Sequence, residues 1–168
     1  MVSEKEVKWS DLVSSTMTPD DYLKSYNDKI AYNYETYKLK IDVIKKIEDL
    51  LIIKDESLKI LAFGADWCPD CSKNIPRMIK IIMYMNKINV EFKILYGIMT
   101  NPFHKAGDTI WHKTRSPPEA IDPKFNLKKI PTFYFFNKNG DCLGTIIENP
   151  KYKSTLEEDL FEIIQKNL

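Results

Sequence analysis

Leu58 to Phe63 form a near-continuous apolar run, which predicts a central strand covered on both faces. Val90, Phe92, Ile94 and Tyr96 alternate with other residues and predict a second strand. Between the two, Ile75, Met78, Ile79, Ile82 and Met85 recur at helical spacing, with Pro76 inside the helix to remove a backbone bond and bend it. Strand, helix and strand in that order make a right-handed parallel βαβ unit. Further on, Thr132–Phe136 and Cys142–Ile147 flank Asn139-Gly140, a strong hairpin signal. Leu156, Leu160, Ile163, Ile164 and Leu168 mark a C-terminal amphipathic helix behind a capping box, Ser154-x-x-Glu157. A short helix is expected over about 123–127.

Upstream, Thr18-Pro19-Asp20-Asp21 reads as a helix start, with Thr18 as N-cap, and the helix runs to Tyr26. Tyr34, Tyr37, Ile41, Ile44, Ile47 and Leu51 follow at three- and four-residue steps, as two helices or one bent one. Tyr22, Tyr26, Tyr32, Tyr34 and Tyr37 are expected to pack on the sheet. Residues 98–121 lack periodicity and contain Pro102, Gly107, Pro117 and Pro118, so they read as a loop-rich insertion. The pattern as a whole predicts an α/β protein, a mixed sheet of four or so strands with helices on both faces.

With 168 residues, one domain with decoration is expected. The net charge of +1 and the lack of any Lys/Arg block argue against nucleic acid as a partner. The charged N-terminus (Glu4, Lys5, Glu6, Lys8) has no apolar core of a signal peptide, and no apolar stretch is long enough for a membrane span. Three cysteines do not make a secreted disulfide scaffold. The expectation is a cytoplasmic protein with no membrane association.

That setting changes the meaning of Trp67-Cys68-Pro69-Asp70-Cys71, which lies between the buried strand and the helix. A thiol at a helix N-terminus meets unpaired N–H groups and the positive end of the macrodipole, which stabilise a thiolate. Cys68 is expected to be exposed there, its pKa moved from about 8.5 toward about 7. It would attack a disulfide, and Cys71 would resolve the mixed disulfide, forming a redox-active Cys68–Cys71 disulfide. The Asp70 carboxylate beside the sulfurs opposes the thiolate and makes the couple more reducing. Trp67 would shield one side of the sulfur.

These features resemble the thioredoxin superfamily over about residues 55–168. The run from Trp67 to Cys71, Pro76 five residues beyond, and Ile130-Pro131-Thr132 before the hairpin match the family in order. The resemblance implies a thioredoxin-like mixed four-stranded or slightly larger sheet flanked by helices. It places Trp67, Pro69, Asp70, Ile130 and Pro131 around the cysteines, with Pro131 cis. Residues 1–54 would then be an N-terminal helical extension packed on the core, and 98–121 an insertion within it. The chain departs from the family at Ala62, where a buried acid usually stands six residues before the first cysteine, and at Glu148, where a glycine is usual. Glu148 either takes part of the proton role or, the preferred reading, points to solvent.

The implied activity is that of a thiol–disulfide oxidoreductase, acting as a disulfide reductase on protein or small-molecule disulfides. No cofactor or metal is implied, and electrons would come from an external reductase or a low-molecular-weight thiol. The insertion starts at the sheet edge that carries Cys68, so His104, Trp111 and His112 either wall the site and select substrates or merely hold the loop in place. Two other readings stay open: a redox-sensitive protein-binding module with little turnover, and a structural zinc domain, for which Cys142, His104 and His112 lack a recognised spacing. Cys142 itself reads as small core packing.

Overall fold

The computed structural model describes residues 6–25, 27–150 and 155–168. Its elements run α1 (Pro19–Lys24), α2 (Asp28–Thr36), α3 (Ile41–Ile53), β1 (Leu58–Phe63), α4 (Pro69–Tyr84), β2 (Val90–Leu95), β3 (Thr132–Phe136), β4 (Cys142–Ile147) and α5 (Leu156–Asn167). The strands form one mixed sheet in the order β2-β1-β3-β4. β1 and β2 are parallel, with Leu58 opposite Val90 and Phe63 opposite Leu95, whereas β3 is antiparallel to both β1 and β4. A pure apolar strand at the centre of the sheet is what its position requires. Five of the six residues of β1 are buried.

Side chains alternate across each strand, so the two faces are separate chemical surfaces. One face carries Ile60, Ala62, Phe133 and Phe135. Against it lie α4 and α5, with Ile75 approaching Gly64 and Ile163 filling the space beside Gly144. The outer helices then add to that side, α2 on α4 and α3 on α5. The opposite face carries Leu61, Phe63, Tyr134 and Phe136. No long helix covers it among the described residues. Trp9, in a short 3-10 turn, meets Phe136 edge-on at 5.3 Å, and Phe125 packs against Phe63 and Tyr134 at 5.4 and 5.7 Å. Helices thus flank the sheet unevenly, with 3-10 turns and irregular chain closing the second face.

Local signals account for most boundaries. Thr18 caps α1 as expected, its side chain accepting from the Asp21 N–H at 3.1 Å. The tyrosine- and isoleucine-rich stretch resolves into two helices, α2 and α3, parted at residues 37–40. Tyr22 is buried near the sheet, but Tyr32 is 65% exposed, and Tyr34 and Tyr37 meet Lys80 and Arg77 of α4 rather than the sheet. Tyr26 lies outside the described residues. The cationic side chains of α4 attract these rings because a ring face is negative.

Two expectations need correction. Residues 123–127 form turns instead of a helix: the Phe125 N–H bonds to Asp122 O, and Asn126 turns into the left-handed region at φ +49°. The Asp122 side chain also takes the Lys124 N–H at 2.9 Å, favouring a tight turn that presents Phe125 to the core. The cap of α5 is Thr155, which accepts from the Glu158 N–H at 3.2 Å. Ser154 is outside the described residues, and Glu157 is instead buried, accepting from the Lys40 N–H at 2.7 Å and from the Tyr37 hydroxyl. The hairpin forms as expected, with Gly140 at φ +85° closing its loop onto Trp9, whose N–H bonds to Gly140 O at 2.9 Å.

The N-terminal segment is tied to the 98–121 insertion as well. Glu119, 2% exposed, accepts from the N–H groups of Val13 and Ser14, each at 2.8 Å, and from the Ser14 hydroxyl at 2.6 Å. Burial alone would raise its pKa, but these donors from Ser14 and Val13 hold it below the ordinary glutamate value. Among the described residues, no helix is long and apolar enough to cross a membrane.

Replacing Glu119 by Ala should cost about 1–3 kcal/mol in urea unfolding, because three donors lose their acceptor. The lowered folded pKa gives the contribution a definite sign with pH. It is complete above the unfolded-state value of about 4.3 and disappears as acid titrates the folded carboxylate. The stability gap between wild type and Glu119→Gln should therefore narrow in acid.

Candidate active site

β1 ends at Phe63, and Gly64-Ala65-Asp66-Trp67 turns the chain onto α4. Cys68 is the N-cap of that helix, in extended conformation at φ −95° and ψ 112°. Its sulfur accepts the Cys71 N–H at 3.2 Å, so it does the work usually given to Ser or Asp. Pro69 occupies the first helical position, where a missing N–H leaves nothing unpaired, and Asp70 lies in the first turn. Cys71 is fully buried one turn on. Cys68, Cys71 and Cys142 are not joined by a disulfide.

Contrary to the expectation of an exposed sulfur, Cys68 is only 4% exposed. The turn before β3 lies against it: the Cys68 thiol donates to Ile130 O at 3.5 Å, and the Ile130–Pro131 peptide is cis. What remains open is a cleft of 330 Å³ lined by Cys68, Trp67, Pro69, Asp66 and Ser72 and closed by Asn27, Asp28 and Lys29 at the start of α2. Trp67 is 49% exposed and its indole N–H donates to Ile98 O at 2.9 Å, which fixes the ring at the mouth of the site.

The two sulfurs have opposite electrostatics. The hydrogen bond from the Cys71 thiol lowers the Cys68 pKa most, with help from the Cys71 and Asp70 amides; burial and the Asp70 carboxylate act against it. Burial pushes the Cys71 thiol up, and its bond to Cys68 adds to that. Of the two thiols, Cys68 is therefore the more readily ionised and Cys71 the one that holds its proton. Asp70 opposes the thiolate as its position predicts, but the amides and the partner thiol outweigh it.

Other sequence-derived residues are distributed unevenly. Ile130 and Pro131 join the cysteines. His104, Trp111 and His112 do not line the cleft. Trp111 is buried and donates to Leu127 O at 2.8 Å, His104 binds Asn101 O at 2.8 Å, and His112 Nδ1 takes the Arg115 N–H at 3.1 Å. Each bond lies within the insertion or ties it to the body of the domain. Cys142 is buried in β4. Glu148, at φ +61°, forms an ion pair with Lys129 at 3.1 Å, and its N–H bonds to Pro131 O at 2.7 Å. Among the described residues, no three His, Cys, Asp or Glu side chains gather as a metal site would need.

Sequence reasoning missed three groups. Asn74 is buried on α4 and donates to Glu148 O and Asn149 Oδ1 at 2.7 and 2.9 Å, tying the cysteine helix to the strand end beside Pro131. A polar residue at a core position of the helix was its only signal. Asn27–Lys29 and the Tyr22–Tyr96 pair, whose hydroxyls hydrogen-bond at 2.8 Å, lie far from the motif in sequence and carried none.

Two solved structures align with nearly all of this chain. A protein of unknown function from Pseudomonas aeruginosa is 14% identical, with 96% of this chain and 99% of that one covered at a TM-score of 0.66. An HIV epitope-scaffold is 13% identical, with 96% and 100% covered at 0.59. A family model described as Thioredoxin matches residues 16–95. The fold is thioredoxin-like. The family match in this thioredoxin-like chain begins well before β1 and takes in all three N-terminal helices. The reduced thioredoxin pre-protein of Schistosoma mansoni also aligns, at 20% identity over 73% of this chain and 90% of its own, with a TM-score of 0.39. No curated protein matches in sequence.

Iodoacetamide labelling of Cys68 against pH should give a midpoint below the ordinary thiol value of about 8.5. Cys71→Ala should raise that midpoint by deleting the strongest donor, Cys71→Ser should largely keep it low, and Asp70→Asn should lower it further.

Proposed function

We propose that this protein is a thiol–disulfide oxidoreductase that works as a disulfide reductase. The observation that carries the reading is the Cys68 sulfur capping α4, with the Cys71 N–H at 3.2 Å and the Ile130-Pro131 turn against it. The Cys68 thiolate attacks a substrate disulfide, forming a Cys68–substrate bond and releasing one substrate thiolate. Cys71 then loses its proton and attacks the Cys68 sulfur. The Cys68–Cys71 disulfide closes, and the second substrate sulfur leaves with the electron pair and takes up a proton. Two electrons have passed to the substrate. An external reductase or low-molecular-weight thiol must return them, with no cofactor bound by this chain, and the cytoplasm is the compartment that suits such a cycle.

Residues 1–54 serve in this reading as an extension that packs on the core of residues 55–168 and supplies Asn27–Lys29 as one wall of the substrate cleft. The acidic and basic side chains there, with the indole of Trp67, suit an extended polypeptide or a small polar disulfide. The insertion contributes through Ile98, which holds Trp67. Its two histidines have no part in the chemistry.

Reduction of a protein disulfide such as insulin by the full chain, with dithiothreitol as electron source, tests the reading. Cys68→Ser should abolish turnover, and Cys71→Ser should accumulate a mixed disulfide visible by mass spectrometry. Turnover that survives Cys68→Ser, or none in the wild type, would sink it.

A further inference from the structure

Two polar features of the Cys68 cleft have no task in the fold. The first is Ser72, four residues after Cys68 on α4, a spacing that puts both on one helix face. It is 4% exposed and lines the cleft. A buried serine inside a helix often turns its hydroxyl back to the carbonyl four residues earlier. Here the Ser72 N–H bonds to Cys68 O at 3.2 Å, but the hydroxyl has no hydrogen-bond partner among the described residues. Its oxygen is not sealed from solvent either, so it faces the cleft that Ser72 lines. A hydroxyl with so little access to water is incompletely solvated, and a ligand group that bonds to it makes up the loss.

The second feature is the wall made by the start of α2. Asn27 Oδ1 accepts the Lys29 and Ile30 N–H groups at 3.0 and 3.1 Å, which fixes that wall in place. Asp28 and Lys29 follow it, and Asp66 lies on the approach to α4. All three are exposed, line the cleft and make no ion pair among the described residues. The cleft holds 330 Å³, within the range of small-ligand sites, about 300–1,000 Å³. Its attacking sulfur is 4% exposed, so a slim molecule reaches it more easily than a disulfide on a folded protein does. One cation, two carboxylates and a hydroxyl in so small a space match a ligand that carries both charges. Lys29 and the Ser72 hydroxyl suit its carboxylate, Asp28 and Asp66 its ammonium.

We propose that the cleft takes a low-molecular-weight disulfide with amino-acid-type ends, and that Ser72 is a substrate-binding residue in it. Such a molecule carries an ammonium and a carboxylate a few bonds from each sulfur, and cystine is the simplest. The inference rests on the oxidoreductase reading and narrows its substrate. The Cys68 thiolate attacks one sulfur, the new bond forms as the substrate S–S bond breaks, and one half leaves as a thiolate that takes up a proton. Closure of Cys68–Cys71 releases the other half, so the disulfide gains the two electrons that the two thiols lose. Ser72, one turn from Cys68, holds the bound half while it is joined to the sulfur.

The test uses the reduced full chain with cystine, cystamine (ammonium ends), dithiodipropionate (carboxylate ends), diethyl disulfide (no polar ends) and insulin. Loss of the Cys68 thiol is followed by rapid quenching and mass spectrometry. Each rate is divided by that of the same disulfide with dithiothreitol, which removes differences in intrinsic reactivity. Cystine should then exceed diethyl disulfide by about tenfold. Ser72→Ala should cut the cystine-to-diethyl disulfide ratio about tenfold, as for a lost hydrogen bond to a charged group. Both rates come from one sample, so any loss of folded protein cancels. Lys29→Gln should slow dithiodipropionate relative to cystamine by about threefold, a small effect because the ammonium is in solvent, and Asp66→Asn should do the reverse. An unchanged ratio in Ser72→Ala would overturn the assignment, as would a normalised rate with insulin above that with cystine. A wild type that reduces diethyl disulfide or insulin without favouring cystine keeps the oxidoreductase reading and removes only this assignment. A wild type that reacts with none of these disulfides removes both.

Discussion

A single sulfur–amide contact organises the reactive end of this protein. Because Cys68 caps α4, the sulfur that needs negative charge and the helix that needs an acceptor satisfy each other. The arrangement requires β1 to deliver the chain to a fixed point, which explains a strand with hardly an exposed residue. It also requires α4 to be held from its far side. Asn74 does this by bonding to the backbone of Glu148, so the cysteine helix and the Ile130-Pro131 turn are parts of one rigid frame.

The protein separates the two thiols by environment more than by chemistry. Both are cysteines with little exposed surface, yet for Cys68 the donated hydrogen bonds outweigh burial, whereas for Cys71 burial dominates. Asp70 shows the order of magnitudes involved. A carboxylate within the first turn is partly solvated and screened, whereas the amides and the partner thiol touch the sulfur directly. Direct contacts win. In the proposed cycle, the narrow cleft requires a substrate disulfide to pass Trp67 and the start of α2.

The sequence made the βαβ unit, the hairpin, α5 and the dithiol legible because each is specified locally. Alternation, Asn139-Gly140 and the spacing of Cys68 and Cys71 are short-range signals. The lost features are those set by long-range packing. The start of α2 as a wall of the cleft, Tyr22 beside Tyr96, and Trp9 on Phe136 join segments far apart in the chain, and no periodicity encodes such partners. The turn at 123–127 was missed because Asp122 and Phe125 respond to competing demands, one from the backbone and one from the core. Cys68 looked exposed because a helix N-terminus usually is. The cover comes from Ile130, sixty-two residues away.

The single rung between Met17 and β2, with both bonds to Ile94 at 2.8 and 2.9 Å, has a meaning beyond the site. β2 is the outermost strand on that side, and an edge strand is a template on which a foreign strand can grow. One residue of the leading segment, Met17, occupies that template near its C-terminal end, at Ile94. The same stretch of chain that leads into α1 therefore also covers part of the sheet margin, where a bare strand edge is open to pairing.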